Sequence, residues 1–150
     1  MMGDEMNNLQ RTGGCLCGAV RFTCVLTSTG LQACHCVQCQ QWTGGGPLIN
    51  VHVDTLDIED DSTVGRYHAS DWGERCFCKN CGSTLFWKMQ DKPTRSLAVG
   101  LLDDQTGLDM AEEIFVDRRP SWLPKWAGAA QSTEAQEFAK LEDYLKGETQ

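Results

Sequence analysis

Alternation of apolar and polar positions is clearest early in the chain, over residues 19–26. There Val20, Phe22, Cys24 and Leu26 fall on one face of an extended backbone. A period of two is typical of a β-strand with one buried face. The pattern therefore predicts a strand, and it places Cys24 in the core as a small buried hydrophobic residue.

Short β-rich segments continue through the middle of the chain, separated by clusters of Asp, Gly, Ser and Pro. Such spacing is typical of all-β domains. We find no low-complexity tract and no internal domain boundary. The sequence predicts a mainly β protein, with further strands over 48–53, 64–69, 74–78, 83–88, 96–100 and 112–116.

The C-terminal segment has a helical pattern instead. Thr133 and Gln136 have the spacing of a capping box at a helix start, and Gly147 offers a stop. Apolar residues recur at helical spacing at Phe138, Leu141 and Leu145. The pattern predicts one amphipathic helix over 133–146, packed on the sheet.

Length and charge narrow the possible classes of function. We assign residues 1–12, which lack an apolar period, to a flexible tail and 13–150 to a single domain, since 150 residues suffice for one core. The net charge of −8 argues against a nucleic-acid partner. No stretch approaches the roughly 18 apolar residues of a membrane span, and no secretory signal is evident. We expect a cytoplasmic protein without a membrane partner.

Cysteine spacing is the strongest chemical signal. The nine cysteines include three Cys-x-Cys pairs, two of them extended to Cys-x-Cys-x-x-Cys by Cys39 and Cys81. A disulfide between residues two apart would be strained, whereas neighbouring thiolates can converge on one cation. The odd count and the absence of an export signal also favour reduced thiols. The pattern predicts bound zinc.

Spacing alone leaves the division of these thiols open. A structural zinc takes four protein ligands, while a reactive zinc keeps one position for water or substrate. Cys15 and Cys17 with a later pair would make the first kind, and Cys34, Cys36 and Cys39 the second. Alternatively, Cys15 and Cys17 complete both extended triads, which gives two closed sites.

Three motifs occur in order across residues 13–83. They read GGCLCGAVRF from Gly13, CHCVQC from Cys34 and FCKNCGS from Phe77. In this order and spacing they resemble the glutathione-dependent formaldehyde-activating enzyme family, also called the centromere protein V/GFA family. The resemblance implies a β-rich, Mss4-like zinc-binding fold with two zinc ions per chain.

The resemblance also implies the division of the thiols. A structural zinc would be held by Cys15, Cys17, Cys78 and Cys81. A catalytic zinc, which the thiol of glutathione can approach, would be held by Cys34, Cys36 and Cys39. Cys76 stands where the family pattern does not require cysteine, so it is either a spectator or a competing ligand.

The activity implied by the resemblance is that of a carbon–sulfur lyase. Such an enzyme adds glutathione, or a related thiol, to formaldehyde or another small carbonyl and gives an S-hydroxymethyl adduct. The alternative is a non-catalytic zinc-bearing module that binds a thiol or a protein. Arg21, Arg75 and Lys79 are the basic residues nearest to the motifs in sequence, and we expect a cationic contact for glutathione among them.

Several residues near the motifs have less specific roles. His35 lies between two predicted ligands, and such a residue normally points away from the metal, so we expect it to support the site or face solvent. The glycines at 44–46 leave room for close backbone approach. The flanking aromatic residues, which either pack in the core or wall a pocket, are Trp42, Phe77, Phe86 and Trp87.

Overall fold

The computed structural model describes residues 8–148, which contain ten strands and two α-helices. The strands are β1 (Gln10–Gly14), β2 (Arg21–Leu26), β3 (Gly30–Cys34), β4 (Leu48–Ile58), β5 (Val64–Tyr67), β6 (Gly73–Cys78), β7 (Thr84–Met89), β8 (Arg95–Ala98), β9 (Asp109–Ile114) and β10 (Ala130–Ser132). The helices are α1 (Val37–Thr43) and α2 (Glu134–Glu148), and 3₁₀ turns cover Val99–Leu101 and Val116–Arg118. The predicted mainly β class with one C-terminal helix is confirmed.

The chain divides into two compact units. The first holds the described residues up to Leu31 together with Asn50–Asp109, and the second holds Gln32–Ile49 together with the described residues from Met110 onward. Neither described helix is both long and apolar enough to cross a bilayer. The assignment of 13–150 to a single domain stays a prediction.

An antiparallel sheet forms the first unit. Its strands pair in the order β1, β2, β4, β8, β7, β6 and β5. Strand β4 is long enough to pair with β2 through one part and with β8 through another, so that Leu56 faces Cys24 and Val51 faces Leu97. The unit carries both the loop after β1 and the end of β6, where four of the predicted ligands lie.

The core of this unit confirms the alternation predicted for residues 19–26. Val20, Phe22, Cys24 and Leu26 are all at most 3% exposed. They belong to one hydrophobic cluster with residues of the other strands, including Val51, Val53, Cys76, Phe86 and Leu97. Burial of each large apolar side chain contributes roughly 1.5–3 kcal/mol, so this cluster supplies much of the unit's stability.

The structure corrects the predicted tail over 1–12 at its end. Residues 10–12 belong to β1, in which Arg11 pairs with Cys24 of β2. The Arg11 guanidinium is buried and donates to the backbone carbonyls of Asn8, Asp104 and Thr106 at 2.8, 2.8 and 3.0 Å. Because polar contacts hold β1, its sequence lacks the alternation of apolar residues from which strands are predicted. Residues 1–7 lie outside the described residues.

The predicted strands between residues 48 and 116 correspond to β4 through β9. The observed ends of most strands differ from the predicted ends by a few residues. Strand β4 differs most, because it continues to Ile58, well beyond the predicted end at residue 53. Strands β3 and β10 were not predicted, since the segments GLQAC and AQS show no clear apolar alternation.

Gly13 has no room for a side chain. A Cβ there would lie 2.3 Å from the carbonyl oxygen of Leu101 and 2.6 Å from the ring of Phe22. We expect Gly13→Ala to lower the free energy of unfolding by about 2 kcal/mol, because the backbone must shift. Urea denaturation measures the change. The control is Gly100→Ala, since nothing lies within 4 Å of a Cβ at Gly100. Equal losses in the two variants would contradict the packing argument.

In the second unit, β9 pairs in parallel with β10. Helix α2 confirms the predicted C-terminal helix and its capping box, since Thr133 Oγ1 accepts from the Gln136 backbone N–H at 3.2 Å and the Thr133 N–H donates to Gln136 Oε1 at 2.7 Å. The Phe138 ring packs edge-on against Phe115 at 5.8 Å but is 47% exposed, so the predicted packing face is only partly covered by described residues. The helix continues through Gly147, the predicted stop.

Candidate metal centres

Four cysteine sulfurs meet in the first unit. Cys15 and Cys17 lie in the loop after β1, and Cys78 and Cys81 lie at the end of β6 and in the following turn. All four Sγ atoms are within 4.8 Å of one another. The Cys17 sulfur is 3.6 Å from Cys15 and 3.9 Å from Cys78. Sulfurs about 2.3 Å from a tetrahedral metal are about 3.8 Å apart, so the spacing fits a metal ion.

Each half of this group is a tight turn that ends in glycine. The Gly18 N–H donates to the Cys15 carbonyl at 3.1 Å, and the Gly82 N–H donates to the Cys78 carbonyl at 2.8 Å. Gly18 and Gly82 have φ values of 82° and 80°, which side-chain-bearing residues rarely adopt. These turns bring the two cysteines of each pair together.

Hydrogen-bond donors surround the sulfurs of this group. Asn80 Nδ2 lies 3.1 Å from the Cys17 sulfur, and the Ala19 N–H lies 3.5 Å from it. The Ser83 hydroxyl lies 3.1 Å from the Cys81 sulfur, and hydrogen bonds from Ser83, with smaller contributions from Cys17 and Cys78, lower the pKa of Cys81 to about 5. Such donors stabilise thiolates, the form of cysteine that binds metal.

Three more sulfurs meet in the second unit. Cys34 ends β3, Cys36 caps the N-terminus of α1, and Cys39 lies in the first turn of that helix. Their Sγ atoms also lie within 4.8 Å of one another. Among the described residues, no fourth His, Cys, Asp or Glu joins them. The group therefore offers three ligands.

The three sulfurs suit a divalent cation. Hydrogen bonds with Cys36 and Cys39 raise the pKa of Cys34, and burial and the repulsion between neighbouring thiolates raise it further. A cation bound by all three offsets that repulsion, and thiolate ligands favour a soft or borderline metal such as zinc. Cys15 and Cys17 group with Cys78 and Cys81 alone. This grouping differs from the alternative in which they complete both triads.

His35 lies between Cys34 and Cys36 in sequence but does not join their sulfurs. Its ring is fully buried, and Nε2 lies 2.8 Å from the Glu113 carboxylate. Sequence patterns did not single out Glu113. The sequence feature that could have identified Glu113 is its charge, since it directly precedes Ile114 and Phe115 in a segment predicted as a strand.

The two remaining cysteines are core residues. All nine cysteines are free thiols. Cys24 is 2% exposed, as predicted from the pattern of its strand. Cys76 is fully buried, and burial raises its pKa to about 11. Its sulfur lies 3.9 Å from Glu74 and joins neither group, so Cys76 is a spectator rather than a competing ligand.

A shallow cleft of about 430 Å³ runs beside α1 in the second unit. Among the residues that the structure describes, no charged side chain lines it, and Trp122 on its wall is 70% exposed. The glycines at 44–46 contribute to the lining and have open space where a side chain would stand. Sequence patterns gave no role to Trp122, and of the aromatic residues considered instead, Phe86 belongs to the core.

The basic residues expected to contact glutathione all belong to the first unit. Arg21 is paired with Asp103, with 2.6 Å between the charged groups. Arg75 is only 7% exposed. In the second unit, Arg118 is paired with Glu134 at 2.8 Å. Two of the three residues named from the sequence are therefore already engaged or buried.

Two curated relatives are similar to part of this chain. An uncharacterized lyase of Schizosaccharomyces pombe is 33% identical over 75 residues, which cover 50% of this chain and 55% of that protein. A putative glutathione-dependent formaldehyde-activating enzyme of Halomonas elongata is 36% identical over 83 residues, which cover 49% of this chain and 53% of that protein. The chain spans about half the length of these relatives.

A solved structure supports the fold. A Rhodobacter sphaeroides protein known from its crystal structure matches 81% of this chain and 99% of its own, with a TM-score of 0.54 and 19% identity. The family model described as glutathione-dependent formaldehyde-activating enzyme matches residues 10–118, which include both cysteine groups. This match covers more than half of the sequence, and the chain therefore belongs to the glutathione-dependent formaldehyde-activating enzyme family.

Proposed function

We propose that this chain is a zinc-dependent carbon–sulfur lyase that joins glutathione, or a related thiol, to formaldehyde or another small carbonyl. The observation that carries the proposal is the three-cysteine group, which offers one ligand fewer than a closed zinc site. A cleft for organic substrate lies along the helix that bears Cys39. The names of the two curated relatives support the reaction class.

The two groups are assigned different roles. The structural zinc is held by Cys15, Cys17, Cys78 and Cys81. The catalytic zinc is held by Cys34, Cys36 and Cys39. When bound there, zinc supplies an electrophilic position that lowers the pKa of a substrate thiol.

The reaction forms one carbon–sulfur bond. The thiol sulfur adds to the carbonyl carbon, and the carbon–oxygen double bond becomes a single bond. The thiol loses its proton, and the carbonyl oxygen gains a proton to become the hydroxyl. No oxidant or reductant is needed. Water can carry the proton, because the cleft wall at Trp122 is open to solvent. The reverse reaction cleaves the same carbon–sulfur bond.

The chain's own residues shape the thiol site. Gln40 of α1 donates to the backbone carbonyls of His35 at 2.7 Å and Arg118 at 2.8 Å, which fixes the helix beside the cleft. The exposed amide of Gln41 and the backbone at 44–46 offer uncharged hydrogen-bonding groups. Glutathione is a tripeptide, and these groups suit its peptide bonds.

Glutathione is expected to bind zinc-loaded protein with modest affinity, with a Kd of roughly 0.1–1 mM, and its S-methyl derivative at least about tenfold more weakly. Methylation removes the ionisable thiol and leaves the peptide part intact. Calorimetric titration with both compounds measures the difference. If the two bind alike, sulfur does not reach the metal, and the non-catalytic binding module becomes the better description.

Turnover distinguishes an enzyme from such a module. Exchange spectroscopy with ¹³C-labelled formaldehyde follows formation of the S-hydroxymethyl adduct at equilibrium. The zinc-loaded protein should accelerate this exchange well above the rate in buffer. If the protein binds the thiol tightly but does not accelerate the exchange, the proposal that it is an enzyme is wrong.

A further inference from the structure

A buried carboxylate lies one contact away from the three-cysteine group. Glu113 of β9 is fully buried, and several donors of the second unit converge on it. Its Oε1 faces His35 Nε2 at 2.8 Å and Arg119 Nε at 3.4 Å. Its Oε2 accepts hydrogen bonds from the Trp126 backbone N–H at 2.9 Å and from Gln131 Nε2 at 2.8 Å. Oε2 thus accepts two hydrogen bonds, while Oε1 contacts the His35 ring and forms an ion pair with Arg119.

These contacts set the proton positions. Burial by itself raises the pKa of Glu113, but hydrogen bonds from Gln131, His35 and the Trp126 backbone hold it below its ordinary value. A carboxylate only accepts hydrogen bonds, so the proton sits on His35 Nε2. The other ring nitrogen of His35, Nδ1, is buried without a hydrogen-bond partner among the described residues. Hydrogen bonding of the His35 ring therefore depends on Glu113.

The backbone of His35 is held as well. Its N–H donates to the carbonyl of Ile114, the residue after Glu113, at 3.0 Å. Its carbonyl accepts from Gln40 at 2.7 Å. His35 separates Cys34 from Cys36, so contacts that fix both its ring and its peptide groups restrict the two cysteines on either side.

We propose that Glu113 is a positioning residue of the three-cysteine centre. Through His35 it holds Cys34 and Cys36 in the arrangement that binds metal. The proposal rests on the function proposed above, since it takes this group to be a zinc site. Groups that orient metal ligands in this way typically contribute 10- to 100-fold to metal affinity.

The same carboxylate also contacts the chain on either side of two cleft residues, Pro120 and Trp122. The segment that contains Trp126 and Gln131 follows Trp122, which lines the cleft beside α1. Arg119, next to the cleft residue Pro120, is the other partner of Glu113. Glu113 thus contacts both the segment that contains Cys34 and Cys36, through His35, and the loop beside which we place the substrate.

Glu113→Gln tests the proposal. An amide has one acceptor oxygen and one NH₂ group. In one orientation the NH₂ faces the two donors that Oε2 accepts from, and in the other it faces the Arg119 cation and requires the other tautomer of His35. We expect metal affinity at the three-cysteine centre to fall 10- to 100-fold. Chelator competition on the full chain loaded with Co²⁺ measures this, because thiolate-to-cobalt absorption follows metal loss. The four-cysteine centre is the internal control and should keep its affinity.

His35→Phe is the second variant, which keeps an aromatic ring in the buried space and removes the hydrogen bond. It should weaken the same centre to a similar extent. If Glu113 acts through His35, the double variant should lose little more than either single variant. Phe138→Ala, which removes the contact with Phe115 in the same unit, is the matched control and should leave both metal affinities within about twofold.

Three results would overturn the proposal. The single variants could bind metal as tightly as the unchanged protein, the two centres could weaken alike, or the two substitutions could have fully additive effects. The measurement uses neither thiol nor aldehyde. A failure here is therefore distinct from a failure of the proposed function, which the glutathione titration tests.

Discussion

Cys17→Ser is expected to lower the melting temperature by about 10 °C, although Cys17 is exposed. Most exposed substitutions change the unfolding free energy by no more than about 0.5 kcal/mol. Cys17 differs because its sulfur meets that of Cys78, 61 positions away. Losing this ligand releases a long loop and a metal whose binding is coupled to folding, at a cost of about 3 kcal/mol. Circular dichroism melts with metal analysis measure both effects.

The control for this variant is its neighbour. Leu16 is 88% exposed, so Leu16→Ser should shift the melting temperature by about 2 °C at most. Elemental analysis of the unchanged protein should approach two zinc ions per chain, with one lost in Cys17→Ser. If Cys17→Ser and Leu16→Ser have the same melting temperature, the four-cysteine group has no structural metal.

Cys36→Ser is expected to reduce adduct formation at least 100-fold while leaving the fold nearly unchanged. Cys36 caps α1, and its sulfur accepts a hydrogen bond from the Cys39 N–H at 3.2 Å. Serine is among the preferred N-cap residues, so the helix start is preserved. The substitution removes one of the three sulfurs that the described residues offer to the proposed catalytic metal. Formaldehyde exchange rates and melting curves measure the two effects separately.

Two results would contradict this assignment. Activity within tenfold of the unchanged protein would show that Cys36 is not an essential ligand. A melting temperature reduced as much as in Cys17→Ser would show that both groups stabilise the fold equally. Cys39→Ser removes another sulfur of the same group, and it should reduce activity to a similar extent.

Sequence reasoning succeeded where the chemistry is local. The Cys-x-Cys-x-x-Cys spacing predicts the group of Cys34, Cys36 and Cys39 directly, whereas its second copy contributes only Cys78 and Cys81 to the other group, and Cys76 packs in the core. Spacing could not decide whether Cys15 and Cys17 join one triad or both. That choice came from the family resemblance, and the observed grouping with Cys78 and Cys81 agrees with it.

Long-range polar contacts could not be predicted in this way. Glu113 and His35 are 78 positions apart, and no local pattern links a strand carboxylate with a histidine between two cysteines. Strand β1 was missed for a related reason, because the buried Arg11 gives it a polar sequence. Trp122 gave no signal either, since its role in the cleft depends on a loop of the second unit.

The four-cysteine group shares its unit with the hydrophobic core, whereas the three-cysteine group and the cleft belong to the other unit. Substitutions around α1 and Trp122 can therefore alter recognition without removing apolar contacts from that core. Over evolutionary time, descendants of such a chain can acquire new ligands at the cleft while inheriting a scaffold that still folds.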